Sequence, residues 1–270
     1  MLLTLGDSFT VKRYDGDKPW SEQLAEKLGM ELLNVSHEGE SNSYMFRNAI
    51  WALTTQDVEL CVISLTNWDR FELPYSDYGL KGSGMYDRTK TFKPKNCWDE
   101  DNPYSKLYIA YYSMLYYVDT TSSYIIAIDN LCKAKGIPLI FTQPLLPFNV
   151  RIKAVKTGEL DFLFSKNMNA MGEDYIENIS LFRHVDKSLF CMFKPTAQTI
   201  LFGKEDGISE KTYDNMFSFF TRNHPEYVMG YHNKYIYKGG QAFRKSWDGH
   251  PNLKGHQMIS DIVYDHYMNM

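Results

Sequence analysis

The sequence predicts an α/β protein, a three-layer α/β/α sandwich with a central parallel sheet and a large insertion. Three observations carry that expectation. Short, nearly unbroken apolar runs recur at 1–5 (MLLTL), 30–35 (MELLNV), 59–65 (ELCVISL) and 137–142 (IPLIFT), as in strands buried on both faces. Stretches of helical period stand between them, so that strand and helix alternate, which puts helices on the faces of a parallel sheet. The runs at 1–5, 30–35 and 59–65 are each followed by a polar loop, and in an open parallel sheet such loops gather along one edge.

Taken in order, the first run ends on Gly6, Asp7 and Ser8, and a polar loop follows over 10–18. Pro19 marks an early helical position, Trp20, Leu24 and Leu28 recur every four residues, and Gly29 stops the run. After the second strand and a loop over 36–42, residues 46–53 read as helix, and 59–65 as the third strand. From 72 to 103 the pattern turns to Gly, Pro, Tyr and Asp, which reads as one long loop. Helical sequence resumes near 105 and runs to Lys135, with a break expected over 120–123, and Gly136 ends it ahead of the fourth strand. Residues 149–244 interrupt the alternation and read as an inserted subdomain or cap within a single domain of 1–270. Inside it, 161–171 and 209–222 are expected helices, with Ser209 as an N-cap, and 227–237 a strand or hairpin. A last helix is expected over 252–267, with Ile259, Ile262, Val263 and Tyr267 on one face.

Composition narrows the function. The chain has 270 residues, 44% of them hydrophobic, enough for a sizeable core. A formal net charge of −4 argues against a nucleic-acid partner, which needs a basic stripe. Small or weakly charged ligands fit better, and an aromatic share of 15% suits either a ring-rich core or a sugar- or acyl-binding surface. Cys61, Cys97, Cys132 and Cys191 lack metal spacing and read as packed thiols. His184, His224, His232 and His266 show no ligand spacing either, so no metal or other cofactor is expected. No apolar run is long enough for a transmembrane helix, and no basic leader precedes the first strand. A cytoplasmic protein is expected, although one exported by another route or assembled into a virion would read the same.

Four polar blocks lie at the strand ends and before the last helix: Gly6-Asp7-Ser8, residues 34–42 (NVSHEGESN), residues 66–72 (TNWDRFE) and residues 248–252 (DGHPN). Their order and content resemble the four signature blocks of the SGNH (GDSL-type) hydrolase family, whose fold is flavodoxin-like. The likeness touches 1–72, 105–148 and 246–270, and the helix opened by Pro19-Trp20 looks most like the bacterial and phage members. The resemblance implies that Ser8 is the nucleophile and His250 its base. It further implies an oxyanion hole from the main-chain amides of Ser8 and Gly39 and the side chain of Asn67. Chemistry asks for the same set, because a serine hydroxyl needs an imidazole to take its proton and the oxyanion needs fixed donors.

The sequence departs from the family at two places. The third triad member usually lies three residues before the histidine, where this chain has Trp247; either Asp248, two residues before, or a main-chain carbonyl orients His250. The third block has Leu65 and Trp68 where the family usually has glycine and aspartate. His37, Trp68 and Trp247 are candidate pocket residues, with a solvated loop as the plainer reading of His37. Asp7 is read as bracing the turn, Arg70 and Glu72 as an ion pair, and His256 as a packing or capping residue. The expected activity is hydrolysis of an ester, most fittingly an O-acetyl ester on a glycan or other small polar substrate. Acyl transfer, a lipase or lysophospholipase activity, and a binding or structural module on the same scaffold remain open alternatives.

Overall fold

A computed structural model describes residues 1–11, 18–66, 71–74, 89–92, 114–143, 175–191, 228–231, 237–238, 241–242 and 247–270. In chain order these form β1 (Leu2–Leu5), α1 (Trp20–Leu28), β2 (Leu32–Asn34), α2 (Asn42–Thr55), β3 (Leu60–Ser64), β4 (Phe71–Pro74) and β5 (Thr89–Phe92). They continue with α3 (Met114–Lys135), β6 (Leu139–Thr142), three short helical turns (Tyr175–Ile179, Leu181–His184, Lys187–Leu189), β7 (Val228–Tyr231), β8 (Tyr237–Lys238), β9 (Gln241–Ala242), β10 (Trp247–Pro251) and α4 (Leu253–Met268).

The central sheet has the order β2-β1-β3-β6, and all three pairings are parallel. Side chains alternate across a strand, and this sequence fills both faces with apolar groups. Leu3, Leu5, Cys61, Ile63, Leu139 and Phe141 pack with α2, α3 and residues 176–190. Leu2, Leu60, Val62 and Ile140 pack with α1 and α4, against Trp20, Leu24, Ile259 and Val263. That is the expected three-layer α/β/α arrangement. Each fully buried Leu or Ile contributes about 1.5–3 kcal/mol relative to exposure, so the two layers hold the sheet from both sides.

The strand order reverses between β1 and its two neighbours, since α1 carries the chain to one side of β1 and α2 carries it back to the other. The crevice at the carboxyl end of β1 is therefore the switch point where open α/β sheets place their ligands. Gly6-Asp7-Ser8 lies there.

Several elements differ from expectation. Helix α2 begins at Asn42 rather than 46, because Ser41 caps it, accepting from the Tyr44 N–H at 3.1 Å. Helix α3 runs unbroken through 120–123. The poor helix formers there are tolerated because Val118, Ile125 and Ile128 are buried around them and the Ser123 hydroxyl donates to the Thr120 carbonyl at 2.7 Å. Within the stretch read as a loop over 72–103, Thr89–Phe92 pairs antiparallel with Phe71–Pro74, a long-range pairing that local composition does not signal. Pro19 is the N-cap of α1 rather than a residue inside it.

In the stretch read as an insertion, residues 175–191 join the core. Ile176, Phe182, Leu189 and Phe190 are buried, Phe190 forms a parallel bridge with Phe141, and the Cys191 N–H donates to the Phe141 carbonyl at 3.0 Å. The strand expected over 227–237 is present as β7, and its partner is β10, which carries His250. The helices expected over 161–171 and 209–222 lie outside the described residues. So do Asn67, Trp68, Arg70 and Cys97.

Candidate active site

The turn after β1 is tightly built. A Cβ on Gly6 would lie 2.1 Å from Thr10 Oγ1 and 2.8 Å from both Thr10 Cβ and Ser64 Cβ, so only glycine lets the chain leave β1 this close to β3. The Thr10 N–H donates to the Asp7 carbonyl at 2.9 Å and closes the turn. At its far end the Thr10 carbonyl accepts from Ser21 Oγ at 3.3 Å and Asn34 Nδ2 at 3.2 Å. On the other side the His37 N–H donates to the Gly6 carbonyl at 3.1 Å, which lays the 36–41 loop against the same turn.

Asp7 is fully buried. Its Oδ1 accepts from the Phe9 N–H at 3.0 Å and its Oδ2 from the Thr66 hydroxyl at 2.7 Å. Those bonds offset the cost of burying a carboxylate, and they fit the expectation that Asp7 braces the turn. Thr66 is held in turn by Asn42, whose Oδ1 accepts from the Thr66 N–H at 2.9 Å and whose Nδ2 donates to the Thr66 carbonyl at 3.1 Å.

Ser8 and His250, 242 positions apart, meet at the edge of this turn: Ser8 Oγ lies 2.8 Å from His250 Nε2. Strand β10 positions the histidine. The fourth block, a polar block in the sequence, is a strand paired antiparallel with β7, with an irregular register between Asp248 and Pro251. Immediately after it Asn252 caps α4, accepting from the Lys254 and Gly255 N–H groups at 3.0 and 3.1 Å, which fixes the chain on the far side of His250. The buried Phe9 ring stands against the imidazole at a centroid distance of 4.8 Å and an interplanar angle of 35°. Both ring nitrogens can serve as donor or acceptor; a neutral ring protonated on Nδ1 leaves Nε2 to accept the serine proton.

The other expected residues fall as follows. Gly39 is buried at φ 79°, in the left-handed region that favours glycine, within the loop that touches Gly6. His37 is exposed, with Nδ1 3.1 Å from Glu40 Oε1. Trp247 and Asp248 lie in β10, and the described structure gives their backbone only. His256 is buried, and its Nδ1 accepts from the Trp20 N–H at 3.3 Å. It thus supplies an acceptor for the first amide of α1, one of the helix-start donors that has no partner within the helix. Cys61, Cys132 and Cys191 are free and buried. The contact with Cys132, followed by burial, pushes the Cys61 thiol well up, and burial pushes Cys191 up to about 12. Among the described residues no three His, Cys, Asp or Glu side chains are grouped to hold a metal ion, and no helix is long and apolar enough to cross a membrane.

The sequence reading did not find Phe9, Thr66 and Asn42. Their partners lie up to 241 positions away, and no periodic or motif signal joins them.

No family model and no curated protein matches the sequence. Solved structures do match in three dimensions. A GDSL-like lipase from Bacteroides thetaiotaomicron VPI-5482 aligns over 100% of this chain and 88% of its own at 13% identity and a TM-score of 0.38. A member of the lipolytic protein G-D-S-L family from Veillonella parvula DSM 2008 aligns over 100% and 98% at 11% identity and 0.37. An alpha/beta hydrolase enzyme from the metagenome of Lake Arreo, Spain, aligns over 98% and 93% at 13% identity and 0.41. At these scores the likeness adds no weight to the site, which stands on its own distances. GDSL-type lipolytic proteins are thus among the structures this chain is similar to along nearly its whole length, at low identity.

Proposed function

We propose that this protein is a serine esterase or acylhydrolase. The observation that carries the reading is the 2.8 Å contact between Ser8 Oγ and His250 Nε2 at the switch point of a parallel sheet. A hydroxyl at that distance from an imidazole nitrogen can pass it a proton as it attacks. In the proposed reaction Ser8 Oγ adds to an ester carbonyl while His250 Nε2 takes the hydroxyl proton. The tetrahedral oxyanion collapses, the alkoxide leaves with that proton, and an acyl-serine remains. Water then attacks with His250 again as base, which releases the acid and restores Ser8.

The oxyanion donors in this reading are the amides of Ser8 and Gly39 and the side chain of Asn67. The partner of His250 Nδ1–H is Asp248 or a main-chain carbonyl. No cofactor enters the reaction. The substrate that suits the polar strand-end loops best is an O-acetyl ester on a carbohydrate or other small polar molecule, because no strongly apolar lid helix is legible in the sequence.

Ser8→Ala tests the reading: hydrolysis of p-nitrophenyl acetate is expected to fall to the uncatalysed rate in a folded sample, and unchanged hydrolysis refutes it. Release of acetate from O-acetylated glycans, measured beside release of fatty acid from phospholipid, tests the substrate class. Faster turnover of phospholipid refutes that part alone.

A further inference from the structure

The buried carboxylate beside the proposed nucleophile takes no part in the proton transfers above, yet it is bonded on two sides. We propose that Asp7, Thr66 and Asn42 form a positioning relay that sets the proposed nucleophile against the end of β3 and the start of α2; this rests on the esterase reading. The relay is continuous. Asp7 Oδ1 holds the Phe9 amide at 3.0 Å, so the carboxylate spans Ser8 and fixes the residue on its far side. Asp7 Oδ2 takes the Thr66 hydroxyl at 2.7 Å, which ties the turn to the end of β3. Asn42 then grips both main-chain groups of Thr66, at 2.9 and 3.1 Å, from the first turn of α2.

Three segments thereby share one rigid frame: the turn 6–10, the start of α2 behind the loop that carries Gly39, and the chain just before position 67. The three contributors are 0–6% exposed, so water does not compete for these bonds. The frame also reaches the imidazole, since the Phe9 whose amide Asp7 holds has its ring 4.8 Å from that of His250. A relay of this kind acts on geometry at the transition state, where displacements of about 1 Å cost on the order of a hundredfold in rate, and leaves ground-state binding alone.

Thr66→Val removes the hydroxyl and keeps the shape and the Asn42 grip. Thr66→Ser keeps the hydroxyl. Asn42→Asp keeps the acceptor for the Thr66 N–H and loses the donor to its carbonyl. With p-nitrophenyl acetate, Thr66→Val and Asn42→Asp are expected to lower kcat by about ten- to a hundredfold at unchanged KM, and Thr66→Ser to restore most of it. If Thr66→Val does not fold, Asn42→Asp against Thr66→Ser gives the same comparison. Wild-type kcat in both disrupting variants, or a loss expressed wholly in KM, overturns the relay and leaves the esterase reading standing. Wild-type protein whose hydrolysis does not depend on Ser8 overturns both.

Discussion

Gly6→Ala is the most informative single change outside the proposed catalytic pair, because its cost follows from three distances. The new methyl would meet Thr10 Oγ1 at 2.1 Å, and that clash can be relieved if the threonine changes rotamer. The contacts at 2.8 Å with Thr10 Cβ and Ser64 Cβ cannot be relieved that way, since a Cβ moves only with its backbone. Neither backbone is free to move. Thr10 is tied through its N–H to Asp7 and through its carbonyl to Ser21 and Asn34, and Ser64 is a buried residue of β3 that accepts from Thr142 Oγ1. Ordinary carbon contacts start near 3.5 Å, so the turn must shift by about 0.7 Å on two sides. Overpacking of this size costs about 1–3 kcal/mol. The shift falls on the segment that holds Ser8 2.8 Å from His250, so ester hydrolysis is expected to drop by one to two orders of magnitude, near the penalty for ~1 Å misplacement. Urea unfolding gives the stability and p-nitrophenyl acetate turnover the rate. Adding Thr10→Ala removes Oγ1 but neither Cβ, and should rescue neither. Stability within about 0.5 kcal/mol of wild type together with unchanged turnover would show that the turn accommodates a Cβ at position 6.

Two further outcomes are expected. His256→Phe leaves the Trp20 amide without its acceptor and should cost about 1–3 kcal/mol in urea unfolding, while kcat of the folded fraction stays at the wild-type value; an equal loss of kcat would place His256 in the chemistry instead of at a helix end. The raised Cys61 and Cys191 thiols should resist a disulfide reagent at about pH 8 in the native state and react once the chain is unfolded, as read by peptide mass mapping; prompt native labelling of either would contradict their burial.

The sheet was readable because its strands are continuous apolar runs, and residues such as Leu3 and Val62 must face opposite helix layers wherever the chain turns. The start of α2 and the middle of α3 were harder. Ser41 acts as a cap only through its bond to the Tyr44 amide, and the run 120–123 stays helical only because its neighbours are buried, so local propensity misplaced both. The chemistry-bearing blocks are visible as residue types at three strand ends and before the last helix, and their resemblance to the SGNH blocks is what pairs Ser8 with His250. What fixes them was not visible. The β10–β7 pairing that carries His250, the Asp7–Thr66 bond and the Asn42 grip each join positions 16 or more apart and leave no periodic trace. The altered spacing before His250 shows the same limit from the other side, because Trp247 and Asp248 sit in a strand whose register is irregular at that point.

In the proposed mechanism Ser8 is a nucleophile activated by His250. The most direct measurement of that activation is the site of covalent attachment of a fluorophosphonate, mapped by peptide mass spectrometry on wild type, Ser8→Ala and His250→Ala. A phosphonyl group is expected on the peptide that holds Ser8 in wild type and not in Ser8→Ala, with labelling slowed by at least about a hundredfold in folded His250→Ala, in line with the usual contribution of a general base. Folded wild-type protein that takes no label at Ser8, or labels as fast without His250, would contradict this mechanism.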